Sequence, residues 1–93
     1  MRLLLDIGKK YPEITGPISD AFAADLKQAT EAKDFNELVL DFNGTKIISS
    51  MAMGTLFATF QKLKDEGKTM HIINASEKVT HLLRMVNMAE ILT

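Results

Sequence analysis

The sequence predicts one α/β domain: a mixed β-sheet of four to five strands with amphipathic helices packed mainly on one face. Three observations lead there. Short β-prone runs recur at residues 2–7, 37–42, 47–48 and 69–73. Between and after them lie three stretches whose apolar residues repeat at helical spacing. The resulting strand–helix–strand order favours right-handed parallel crossovers.

Residues 2–7 open the chain as a strand that Gly8, Lys9 and Lys10 can turn. Residues 11–15 alternate weakly, and Pro12, lacking an N–H, places them at an edge. Together these pieces predict an N-terminal hairpin. Gly16 and Pro17 break the strand. Ser19 or Asp20 then caps a helix over 19–32, with Ile18, Phe22, Leu26 and Ala29 along its inward stripe. Residues 33–36 connect it to a strand over 37–42, where Leu38, Val39 and Leu40 suit the sheet centre.

Asn43 and Gly44 turn the chain into residues 46–60, KIISSMAMGTLFATF, on which the rest is organised. Ile47 and Ile48 end a short strand at Ser49 and Ser50, where a helix N-cap belongs. Met53, Leu56, Phe57, Phe60 and Leu63 share one face of a helix over 51–66 that Gly67 ends. Leu56 and Phe60 are expected in the core. Residues 69–73 form the next strand, and Ser76 caps a helix over 77–86 with Val79, Leu82, Leu83 and Val86 inward. Asn87 closes it, leaving 88–93 as a last strand or turn. Met53 and Met85 lie on core stripes, whereas Met51 and Met88 are expected at the surface.

The composition narrows function mainly by exclusion. The 93 residues make a single domain over 1–93. A net charge of −1, from 11 basic and 12 acidic residues, argues against a nucleic-acid partner. No cysteine means no disulfide, thiolate metal site or thiol nucleophile, which suits a reducing compartment. The apolar run at 3–5 is too short for a signal peptide or membrane span, so a soluble cytoplasmic protein without direct membrane insertion is expected.

His71 and His81 lack metal-pair spacing, and Gly8, Gly16, Gly44, Gly54 and Gly67 are too scattered for a phosphate loop. Asp6, Asp20, Asp25 and Asp41 show no paired-carboxylate spacing. The expectation is no catalytic residue, no metal and no cofactor. The serine pair differs: a hydroxyl at the positive end of a helix can cap it, carry a phosphate, or do both.

Residues 48–54, Ile-Ser-Ser-Met-Ala-Met-Gly, match without gaps a segment I/M-D-S-[ST]-G-L-G and its variant I-S-S-A-G-L-R. These are phosphorylation segments of the STAS domain family, the anti-sigma factor antagonists of bacterial partner-switching systems. Residues 14–19 resemble the family's L-[ST]-G-E-L-D stretch, Gly67 and Met70 its next strand, and 76–92 its S-P-x-V-x-x-L ending. The resemblance covers nearly the whole chain and implies a STAS-like fold. By position, the phosphorylated serine falls on Ser50, the preceding Asp on Ser49, the second Ser or Thr on Met51 and the Gly on Ala52. The Asp of the L-D pair falls on Ser19.

The resemblance implies a non-enzymatic module that binds an anti-sigma factor/serine-protein kinase through Ser19, Asp20, Ser49, Ser50, Met51, Ala52 and Thr55. Phosphorylation of Ser50 would release the partner, a phosphatase would reset it, and the module would be a monomer or weak dimer. The alternative it implies is a constitutive docking subunit of a lipid-transport ABC ATPase or sensory scaffold. Serines at both acidic positions suit that alternative.

Overall fold

The computed structural model describes residues 1–32 and 34–92. In chain order come β1 (Arg2–Asp6), a one-turn helix α1 (Ile7–Lys10), β2 (Glu13–Ile14), α2 (Ile18–Ala32) and β3 (Glu37–Asp41). After these come β4 (Ile47–Ile48), α3 (Ser50–Asp65), β5 (Thr69–Ile73), α4 (Glu77–Met85) and a 3-10 turn at Ala89–Ile91. Lys33 and Thr93, the outer ends of the expected connection and last segment, lie outside the described residues.

Leu38, Val39 and Leu40 are all buried because β3 is the middle strand, parallel to β1 on one side and β5 on the other. The register aligns Leu3, Leu38 and Met70, then Leu5, Leu40 and Ile72. Alternation puts these six on one face. There they join a single core with Phe22 and Leu26 of α2, Leu56 and Leu63 of α3, and Val79 and Leu83 of α4. Each fully buried side chain of this kind contributes about 1.5–3 kcal/mol by leaving water. The other face carries Leu4, which is 57% exposed. The expected α/β class and four to five strands are therefore present, but in place of one mixed sheet the strands form two all-parallel ones, β1-β3-β5 and β2-β4, because each pairing is made across a helical crossover.

The expected N-terminal hairpin does not form. Asp6 Oδ1 accepts a hydrogen bond from the Lys9 N–H at 3.2 Å and starts α1, which redirects the chain. Gly8 fits this turn against the β3–β4 loop: a Cβ there would lie 2.0 Å from the Asn43 carbonyl oxygen. β1 thus pairs in parallel with β3, and β2 pairs in parallel with β4 through Glu13–Ile47 and Ile14–Ile48.

Several helix faces are rotated from expectation. Ile18 is exposed, and Ser19 takes the inward place beside Phe22 and Leu26. On α3 the buried line is Ala52, Leu56 and Leu63; Met53 and Phe60 are half-buried at its flank and Phe57 is exposed. At the end of α4, the Asn87 N–H bonds the Arg84 carbonyl at 3.1 Å and the Met88 N–H the Leu83 carbonyl at 2.8 Å, with Asn87 at φ 61°. This closure folds its last residue back on the helix, so Met88 is buried while Met85 and Val86 are exposed. Instead of a final strand, Leu92 makes an isolated parallel bridge to Ile72.

Candidate functional site

β4 delivers the serine pair to the start of α3. The Ser49 N–H donates to the Ile14 carbonyl at 2.8 Å, extending the β2–β4 pairing by one residue. Ser49 itself is extended (φ −84°, ψ 167°) and is the N-cap of α3. Its Oγ accepts the Ala52 N–H at 3.1 Å and lies 2.7 Å from Ser19 Oγ. A hydroxyl has one proton and two lone pairs, so these contacts commit most of what Ser49 can offer. Ser19 is 1% exposed and supports the cap from beneath.

Ser50 is the first helical residue. It is exposed, and its hydroxyl makes no hydrogen bond within the described residues. No acidic residue occupies the first turn of α3, so this 16-residue helix supplies no complementary charge to its own positive end. Beside Ser50 runs a groove of about 370 Å³, lined by Met53, Gly54, Phe57, Val86 and Met88. Met51, Phe57, Met85 and Val86 are four of the large apolar side chains that stay exposed among the described residues.

The seven residues expected to meet a partner thus divide. Ser50 and Met51 are exposed on the first turn of α3, and Asp20 is exposed on the first turn of α2. Ser19 and Ala52 are buried, and Ser49 is half-buried as the cap. Thr55 faces a different groove, between α2 and α3, with Lys27, Thr30 and Lys62. Sequence reasoning missed Phe57, Met85 and Val86. A signal existed for Phe57: it comes seven residues after Ser50 and so shares its helical face.

A second polar cluster ties α1 to α2. The Asp25 carboxylate accepts hydrogen bonds from Lys10 Nζ at 2.6 Å and from Tyr11 OH. The Lys10 bond, then the Tyr11 bond, hold the Asp25 carboxyl below its ordinary value. Burial, then the bond to Asp25, raises Tyr11. Among the described residues no three His, Asp or Glu side chains form a metal-binding group, and no helix is long and apolar enough to cross a membrane.

The STAS domain family model matches residues 12–93. No curated protein matches the sequence. Among solved structures, the anti-sigma factor antagonist SpoIIAA in its unphosphorylated form is similar in fold, with a TM-score of 0.78 at 12% identity. The superposition covers 99% of this chain and 76% of that one.

Proposed function

The chain belongs to the STAS domain family, and on that premise we propose that it is an anti-sigma factor antagonist controlled by phosphorylation of Ser50. The observation that carries this reading is the division of labour between neighbouring serines. Ser49 is held as the cap, while Ser50, at the family's phosphorylated position, presents a free hydroxyl beside an apolar groove.

Unphosphorylated, the groove and Met51 bind an anti-sigma factor that is also a serine kinase. Transfer of a phosphoryl group to Ser50 Oγ adds roughly −1.5 to −2 charges at a helix N-terminus, which the helix dipole tolerates. The same charge inside an interface has to be desolvated at a cost of several kcal/mol. Each 1.4 kcal/mol is about tenfold in affinity, so one phosphate is enough to release the partner. A phosphatase resets the module, which acts in the cytoplasm by binding and not by catalysis.

A second reading has one observation in its favour. Both positions where the family carries acids are serines here, and they bond each other. In a constitutive docking subunit of a larger assembly, the same groove would bind without a phosphate switch. The test is incubation with ATP and a serine kinase of the anti-sigma factor class, then intact mass and phosphopeptide mapping. The switch predicts one phosphate, on Ser50. Phosphate on Ser49, or none, leaves constitutive docking as the function.

A further inference from the structure

The two edges of the three-stranded sheet are finished differently. At β5, Leu92 bridges Ile72 and the 3-10 turn packs alongside. At β1, the edge away from β3 has no partner among the described residues. The Met1 carbonyl accepts the Asn36 N–H at 2.9 Å. Backbone direction alternates along a strand, so Leu3 and Leu5 direct their amides to β3 while Arg2, Leu4 and Asp6 direct theirs to the open edge. Proteins usually guard such an edge with charged side chains, proline or a bulge, and β1 (RLLLD) has its two charges only at its ends, with Leu4 between them.

We propose that this edge joins two copies of the chain through an antiparallel ladder of β1 on β1, centred on Leu4. The strand is complementary to itself in that register. Arg2 falls opposite Asp6 of the second copy, Leu3 opposite Leu5, and Leu4 opposite Leu4. The residues that face one another in hydrogen-bonded pairs are the ones whose amides point outward. Arg2 already lies 3.6 Å from Glu37, but its guanidinium has five donors and keeps some for a carboxylate opposite.

The side chains fit as well as the backbone. Leu4, 57% exposed in the single chain, is covered by its counterpart. On the core side, Leu3 and Leu5 of each copy line a groove of about 390 Å³ together with Tyr11, Asp25, Leu26 and Ala29, and the ladder sets the two grooves side by side. A five-residue ladder is small beside a standard interface, so the dimer is weak and reversible. It leaves the Ser50 face open in both copies.

Sedimentation equilibrium of the full chain up to about 1 mM should show monomer and dimer in exchange. Arg2→Glu sets like charges opposite each other at both ends of the ladder and should raise the dimer Kd about tenfold. Asp6→Asn, which keeps an oxygen to cap α1 and removes the charge, should weaken association in the same direction. The chain has no cysteine, so Leu4→Cys should cross-link on mild oxidation while Thr69→Cys, on the far strand, should not. The proposal is overturned by a chain that stays monomeric throughout. It is equally overturned by a dimer that neither responds to Arg2→Glu nor cross-links through Leu4→Cys. A monomer whose β1 amides gain exchange protection only with another protein would give the edge to that protein's strand instead.

Discussion

Helices α3 and α4 begin with the same device and differ in the residue placed just after it. Each has an extended serine whose Oγ accepts an N–H three residues on, Ser49 from Ala52 and Ser76 from Val79, both at 3.1 Å. Each also ends in the same closure, with Lys68 bonding back to Leu63 and Met88 back to Leu83, both at 2.8 Å. After Ser76 comes Glu77, an acid that already complements the positive helix end. After Ser49 comes the neutral, exposed Ser50, with no acid in the turn. Capping therefore marks no function by itself. The open first turn of α3, set against an apolar groove, is what separates the two.

The comparison is tested hardest within α3. Leu56 is fully buried under the site, and Leu56→Ala should cost about 2–5 kcal/mol by urea denaturation. Its neighbour Phe57 is 50% exposed, so Phe57→Ala should change stability by only about 0.5 kcal/mol while weakening partner binding. Equal stability losses would mean that the helix face is misplaced.

Next come the caps. Ser76→Ala should cost about 1 kcal/mol in the same assay. Ser49→Ala should cost more, because it also strands the buried Ser19 hydroxyl. A smaller loss at Ser49 than at Ser76 would break the view that Ser49 is structurally committed.

Charge at the first turn is a finer probe. Ser50→Asp should raise stability by about 0.3–1 kcal/mol at low salt, and Glu77→Gln should lower it by a similar amount. Thermal melts at low and high salt would show the effect and its screening. The smallest expected change concerns Asp25. Its folded pKa is depressed below the ordinary 3.8, so its contribution is complete above that value and is lost as pH falls through the lower folded one. Asp25→Asn should remove that part of the acid-side slope in a pH series of melts.

Much of the fold was legible because it is periodic. The three long helices, the central Leu38–Val39–Leu40 run and the Ser76 cap all come from local spacing. The illegible part depends on contacts distant in sequence. Parallel pairing of β2 with β4 brings together residues 13–14 and 47–48, and no local signal separates that from a hairpin. The burial of Met88 and exposure of Met85 depend on where α4 stops, since one closing turn reverses both. Phe60, expected in the core, is half-buried with Lys64 Nζ 5.9 Å from its ring. At the site, the serine pair was legible as a cap and an acceptor. That Ser49 is the capping one, bonded to Ser19 across 30 residues of sequence, was not legible.

The most direct measurement is the affinity of an anti-sigma factor with serine-kinase activity for wild type, Ser50→Asp, Ser50→Ala and Ser49→Ala, by titration calorimetry on folded proteins. A phosphate switch at Ser50 predicts that Ser50→Asp loses at least about tenfold in affinity, a penalty of roughly 1.4 kcal/mol, while Ser50→Ala binds like wild type. Ser49→Ala should lose stability before it loses binding. A Ser50→Asp variant that binds as tightly as wild type would contradict the switch.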